Sequence, residues 1–414
     1  MDNISTSVIV PIWNGHEHLP VCLDALLAQA APSLEIIAVD NGSTDGSAAL
    51  VHERYPQVRL IENGRNLGFA GGCNVGLQAA RGECLILVNQ DVIVQAGWLE
   101  AMVKALSLPE VGIGGGKLLY PDGTIQHAGG TISYPLAHTD HYGRHEMDKG
   151  QWSVQREVDY VTGALMGLKR TLLDRVGLFD EGFFPAYYEE ADLCTRARAH
   201  GFRILYAPDC VGIHHETTTT AKTGVVKNRW VERGRLRFVL KHYTTQQFYT
   251  DFLPAERTWL ATAPDLALRQ GLRMAYLDIL LGLQDVPRTG VLSEETATEA
   301  VAEALIGLRG ILTGFLPGAS QVAPYPDRWI EPPWRVPSRS FIAKIPVLGL
   351  PIIHLFKVLH LVWRLPERLA AAQEILLCLD REVTENSIIQ NESAYASPKK
   401  ESRVGARVDA SEET

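Results

Sequence analysis

Four short apolar runs, separated by helical patterns, dominate the first hundred residues. Residues 7–12 (SVIVPI) form an unbroken apolar run containing a proline, which predicts a buried strand leaving its sheet. Apolar positions 19, 22, 23, 26 and 27 then recur at helical spacing. Residues 34–40 (LEIIAVD) predict a second strand that stops on a carboxylate, and Ser43 in the following Asn-Gly-Ser turn can cap the next helix. A third strand over 58–62, a glycine-rich loop over 66–72, a helix carrying Asn74 and Leu77, and a fourth strand over 84–88 complete the alternation. Strand–helix repetition of this kind predicts an α/β fold built on a parallel sheet covered by helices.

In such sheets ligands bind beyond the carboxyl ends of the strands. The polar residues gather at those ends: Asn14, Asp40, Asn66 and Asp91. Taken singly, each is an ordinary turn former or cap. Four at one sheet edge point to a ligand site. No GxGxxG follows the first strand and no GxxxxGK[ST] occurs, which argues against a nicotinamide-type dinucleotide fold and a P-loop.

Beyond residue 95 the pattern predicts a helix over 98–106, a strand over 111–120 ending in a Pro-Asp-Gly turn, and a further strand over 158–169. Residues 124–156 carry His127, His138, His141 and His145 at spacings that fit no common metal motif. They predict a mobile, acceptor-facing loop. Residues 183–194 crowd Glu189, Glu190 and Asp192 behind four aromatic residues and a proline. An apolar wall raises a carboxylate's pKa and suits it to proton abstraction. Acids in a first helical turn also simply favour the helix dipole, a reading that suits Asp192 best. A strand over 201–208 leads to His214, and Lys227, Arg229, Arg233, Arg235 and Arg237 follow on a basic helical segment. That segment reads either as a solvated face or as a phosphate contact.

The ordered motifs VPIWN (10–14), VDNGSTD (39–45), NLGFAGGCN (66–74), LVNQD (87–91) and GLFDEGFF…EEADLC (177–194) resemble those of inverting family 2 glycosyltransferases, closest to the rhamnosyltransferase-like branch. The resemblance covers about residues 5 to 240. It implies a GT-A fold, the Rossmann-like mixed sheet of nucleotide-diphospho-sugar transferases. It also implies roles. Pro11 and Asn14 would border the nucleotide, and Asp40 would hydrogen-bond a pyrimidine base. Asn66, Gly68 and Asn74 would line the loop beside nucleotide and sugar. Asp91, the last acid of a DxD-type motif whose first acid is Asn89 here, would hold a divalent cation on the diphosphate. His214 would join that metal shell, and oxygen ligands suit Mg²⁺ or Mn²⁺. Glu190 takes the position of the catalytic base, with Glu189 and Asp192 as secondary candidates.

The resemblance thus implies transfer of a sugar, with rhamnose the leading expectation, from a dTDP- or UDP-linked donor. The acceptor would be a saccharide or lipid-linked molecule in bacterial surface polysaccharide synthesis, including O-antigen. Two rivals share the sheet: a sugar nucleotidyltransferase, and a non-catalytic nucleotide-sugar-binding scaffold with a degenerate site.

Composition adds limits. The 414 residues allow two or three domains, and a net charge of −9 gives no drive to bind nucleic acid. Six cysteines with no CxxC pair predict reduced thiols and a cytoplasmic protein, and no basic-then-apolar leader opens the chain. Four regions are expected: a GT-A domain over 1–240, a helical extension over 241–316, a proline-rich linker with an amphipathic segment over 317–384, and a disordered tail over 385–414. Residues 341–363 are apolar but broken by Lys344, Pro346, Pro351 and Lys357, which argues against spanning a membrane. Residues 321–368 hold seven Lys/Arg against three Asp/Glu, which suits the inner face of an anionic membrane. Packing on the chain's own domain, or on a second copy in a homo-oligomer, is the other reading.

Overall fold

The computed structural model describes residues 5–29, 33–216, 224–262 and 266–281. All of them belong to the first of two units into which the chain divides, Met1–Arg309. The expectations for 282–316, the proline-rich linker, the 341–363 segment and the tail lie outside the described residues.

The first half follows the alternation read from the apolar pattern. It runs β1 (Thr6–Ile12), α1 (Leu19–Leu27), β2 (Leu34–Asp40), α2 (Ser47–Arg54), β3 (Arg59–Glu62), α3 (Gly68–Ala79) and β4 (Cys84–Val88). Then come β5 (Val92–Val94), α4 (Trp98–Leu106), β6 (Val111–Leu119), β7 (Ile125–His127), β8 (Gly130–Ile132), β9 (Thr139–His141), β10 (Arg156–Glu157) and β11 (Leu165–Lys169). The chain continues through α5 (Arg170–Val176), α6 (Glu189–Ala199), β12 (Arg203–His214) and α7 (Gly224–His242). A short α8 (Thr245–Gln247) leads through a π turn into α9 (Leu253–Thr262), and α10 (Leu266–Leu281) follows.

The main sheet has the order β10-β12-β6-β11-β4-β1-β2-β3, with β5 on β12 and β7 on β6. Strands β3, β2, β1 and β4 pair in parallel, as do β6 and β12. Strand β11 enters antiparallel between β4 and β6 and joins the two parallel blocks. This is a mixed, parallel-rich α/β sheet. Its central strands are apolar on both faces because helices cover both: Val8, Ile9, Val10, Ile12, Leu85, Ile86, Leu87 and Val88 are all fully buried.

Three expectations are corrected. The strand predicted over 158–169 is a strand only from Leu165. Its first part turns aside, where Val158 N–H donates to Ile204 O and Asp159 N–H to Gly130 O. The segment 124–156 is not a loose loop. It contains β7, the β8–β9 ribbon and β10, and His127 within it is fully buried. The basic segment of α7 is not a solvated face. Arg233, Arg235, Arg237 and Lys241 are buried. Arg235 reaches Glu232 and Glu256 at 2.6 Å, and Arg237 and Lys241 each reach Asp180 at 3.0 Å. Burying four cations is tolerable only with such partners. Among the described residues no helix is long and apolar enough to cross a membrane. Cys22, Cys73, Cys84, Cys194 and Cys210 are free thiols.

Candidate active site

The parallel strands deliver their carboxyl ends to one edge, where three constellations form. The first gathers the turns after β1, β2 and β3. Asn14 sits at φ 48°, its N–H donates to Ser43 Oγ (3.0 Å), and its side-chain oxygen accepts from Thr44 N–H (2.8 Å). Pro11 is half-buried on β1. Asp40 is buried, and its carboxylate accepts the Gly42 and Ser43 amides, both at 3.1 Å. Its acid therefore shapes the turn. Asn66 is exposed and accepts from Gly68 N–H at 2.7 Å, starting α3.

The hub of this constellation is a residue the sequence showed only as part of a turn. Asn41 donates to Gly68 O (2.8 Å) and accepts from Asn63 Nδ2 (3.0 Å) and Leu67 N–H (3.2 Å). Its position in VDNGS was a visible signal, but its partners lie more than twenty residues away. Asn74, expected beside nucleotide and sugar, donates to Glu181 Oε1 at 3.0 Å. It is buried in α3 and fixes Phe179 by both its oxygen and its nitrogen at 3.0 Å. An asparagine in mid-helix satisfies its amide against neighbouring backbone because it is cut off from water.

The second constellation joins β5 to β12. Their antiparallel register pairs Val92 with His214, and His215 N–H donates to Asp91 O (3.1 Å). His214 Nε2 thereby lies 3.1 Å from Asp91 Oδ1, both groups largely buried. His214 Nδ1 lies 2.6 Å from Gln126 Oε1. Asn89 Oδ1, two residues before Asp91, is buried without a hydrogen-bond partner. Among the described residues no group of three or more His, Cys, Asp or Glu side chains suits a metal. The protein offers one carboxylate and one imidazole. That set fits a Mg²⁺ or Mn²⁺ ion completed by diphosphate oxygens and water, the usual arrangement where the substrate brings phosphates.

The third constellation is the first turn of α6. Residues Tyr187 and Tyr188 enter it at φ 83° and 75°, a conformation that bulky side chains rarely adopt and that clusters at functional sites. Tyr188 is held there by its hydroxyl, which donates to Ala137 O at 2.8 Å. The preceding loop is tied to α3 by Phe69 N–H donating to Pro185 O (2.7 Å). Gly68, at φ 75°, permits this approach, since a Cβ there would stand 2.7 Å from the Phe184 ring.

Glu190 Oε1 accepts from Gly163 N–H at 3.0 Å. A Cβ on Gly163 would come within 2.8 Å of the Phe69 ring and 3.0 Å of Glu190 itself, so only glycine lets the carboxylate approach. Burial pushes the Glu190 pKa up despite that hydrogen bond. Glu189, also buried, is pushed up further by burial and by the neighbouring Glu190 charge, and its Oε2 has no hydrogen-bond partner. Asp192, fully buried two residues beyond Glu190, is held far below the usual carboxylate range. Burial opposes that shift, but His242 (2.8 Å), Arg196 (2.8 Å) and Lys241 (2.7 Å) outweigh it. Asp192 is thus an internal tie between α6 and α7, more than a helix-dipole residue.

Residues 7–177 match the family model of glycosyl transferase family 2. The chain is 27% identical over 247 residues to an N-acetylglucosaminyl-diphospho-decaprenol L-rhamnosyltransferase of Mycobacterium tuberculosis, covering 52% of this chain and 77% of that protein. It is 31% identical over 235 residues to the O-antigen biosynthesis protein RfbC of Myxococcus xanthus, covering 51% of this chain but only 17% of that longer protein. Among solved structures, the mannosyltransferase PcManGT of Pyrobaculum calidifontis, in complex with GDP-Man and Mn²⁺, aligns over 92% of this chain and 86% of its own. Its TM-score is 0.41, at 19% identity.

Proposed function

We propose that this chain, a family 2 glycosyltransferase by its residues 7–177, moves a sugar from a nucleoside-diphosphate donor to a hydroxyl of a saccharide or lipid-linked acceptor, with inversion at the anomeric carbon. Rhamnose from a dTDP-linked donor is the proposed sugar. Similarity to the L-rhamnosyltransferase and to the O-antigen protein supports that choice and a place in surface polysaccharide synthesis.

The observation that carries the reading is the separation of two chemistries on one sheet edge. The Asp91–His214 pair stands at the β5–β12 junction, and Glu190 stands beside Glu189 at the head of α6. An acceptor hydroxyl is a weak nucleophile until its proton leaves. Glu190, half-buried and raised in pKa, is proposed as the group that takes it. The acceptor oxygen then bonds to C1 as the C1–O bond to the diphosphate breaks, and the nucleoside diphosphate departs. Gly163 N–H anchors the carboxylate, and that hydrogen bond strengthens when the carboxylate is charged. Asp91 and His214 would hold a Mg²⁺ or Mn²⁺ ion, which when bound neutralises charge on the leaving diphosphate. The turns ordered by Asp40 and Asn41 would receive the nucleoside.

A panel of dTDP-, UDP- and GDP-sugars, assayed for transfer and donor hydrolysis with the anomeric configuration of the product read by NMR, tests this. Transfer from dTDP-rhamnose with inversion is expected. A retained configuration would overturn the single-base mechanism. Consumption of sugar 1-phosphate with pyrophosphate release would identify a nucleotidyltransferase instead.

A further inference from the structure

Gln126 is 5% exposed and lies at a bulge of β7. Leu118 pairs with His127 and Leu119 with Ile125, so Gln126 is the extra residue on its strand. A bulge of this kind re-aims one side chain while leaving the ladder on either side intact. The strand also holds this backbone from outside, because His141 Nδ1 lies 3.1 Å from Gln126 O. The re-aimed amide spans two groups. Its Oε1 meets His214 Nδ1 at 2.6 Å, and its Nε2 donates to Glu216 Oε2 at 3.2 Å.

The chemistry of the partners orders this chain. A carboxylate only accepts, so the NH₂ of Gln126 must face Glu216. Lys227 Nζ lies 3.5 Å from the other oxygen, Glu216 Oε1. The amide oxygen is then left for His214, and an amide oxygen also only accepts. His214 must therefore carry a proton on Nδ1, and Nε2, 3.1 Å from Asp91 Oδ1, is the ring atom that would exchange its own proton for a cation shared with Asp91. The second nitrogen of a metal-binding histidine is commonly fixed by just such an acceptor.

We infer that Gln126, oriented by Glu216, is a positioning residue that holds His214 in its Nδ1–H tautomer and presents Nε2 beside Asp91 for a divalent cation. The inference rests on the proposed cation-binding role of Asp91 and His214. It adds a residue that neither the family match nor the local motifs single out.

The test uses the full chain with Mn²⁺, titrated in the presence of UDP or dTDP and read by the EPR signal of free Mn²⁺. Protein labelled with ¹⁵N in its histidine rings, loaded with Mg²⁺ and the same nucleotide, reports the His214 tautomer by NMR. Gln126→Met keeps the side chain's length but removes the acceptor. It should weaken Mn²⁺ binding by about 10–100-fold and abolish the single Nδ1–H tautomer. Gln126→Glu restores an acceptor and should recover most of the affinity. Glu216→Gln, close to the surface, should leave the fold intact and yield a mixture of tautomers, because its amide no longer dictates which way Gln126 turns. This last variant decides the matter if the Gln126 variants do not fold.

Wild-type Mn²⁺ affinity in Gln126→Met, with His214→Ala weakened, would overturn the positioning role and leave the ligand assignment standing. Unchanged affinity in His214→Ala would overturn the ligand assignment and this inference with it. Equal losses in Gln126→Met and Gln126→Glu, or a single Nδ1–H tautomer in Glu216→Gln, would also overturn it.

Discussion

Helix α6 holds two carboxylate environments within one turn, and they behave in opposite ways. On one side, Glu189 and Glu190 lie side by side with few compensating partners, and burial raises both pKa values. On the other, Asp192 is ringed by Arg196, Lys241 and His242 and stays ionised far into acid. The same residue chemistry is made proton-hungry at one position and inert two residues on. Burial alone does not decide this, since it pushes all three upward. The outcome depends on whether the surrounding helices supply cations. Helix α7 spends its buried basic residues on Asp180, Asp192, Glu232 and Glu256. Glu190 is met by backbone amides, Gly163 N–H among them at 3.0 Å, in place of a cation.

The largest effect expected from breaking this contrast falls on stability. Asp192→Asn leaves buried cations uncompensated and should cost about 3–5 kcal/mol, measured by urea unfolding. Transfer per folded molecule should survive in that variant. A loss of transfer larger than the loss of folded protein would place Asp192 in the chemistry after all.

Next comes pH. The Asp192 pKa is depressed in the fold, so its stabilisation is present above the ordinary carboxylate range and is lost as pH falls through the depressed value. Glu189 and Glu190 are raised, so they favour the fold in acid. That contribution fades as pH climbs from the ordinary value near 4.5 through their raised values. Unfolding free energy measured across pH should therefore fall less steeply on acidification in Asp192→Asn than in the wild type. The acid limb of kcat/KM, which reports the ionisation of the base in the free enzyme, should lie above the ordinary carboxylate range.

The smallest effect belongs to Glu189→Gln. An amide replaces a buried acid whose charge is disfavoured, so stability near neutral pH should hold or rise slightly, and most transfer should persist. A fall in transfer matching that of a Glu190 variant would move the base to Glu189.

Much of this was readable along the chain. The strand ends that gather Asn14, Asp40, Asn66 and Asp91 follow from apolar runs broken by turn residues, a local signal. So does the crowding of Glu189, Glu190 and Asp192. What stayed hidden depends on pairings across long stretches of sequence. The sorting of Asp192 from Glu190 needs Lys241 and His242, about fifty residues later. The basic run of α7 looked solvent-facing because its partners, Asp180 and Glu256, lie on other elements. Gln126 was invisible because a bulge, not a motif, aims it at a histidine 88 residues away. The ties of the Asn74 amide to Phe179 and Glu181 were equally hidden, because both lie more than a hundred residues away.

The central claim is that Glu190 is the one carboxylate on α6 kept available to take the acceptor's proton. The measurement that tests it most directly is transfer by Glu190→Gln, assayed beside nucleotide affinity in the same preparation. The account predicts a fall of about 10²–10⁴-fold in transfer, with nucleoside-diphosphate binding unchanged. Transfer close to the wild-type rate would contradict it.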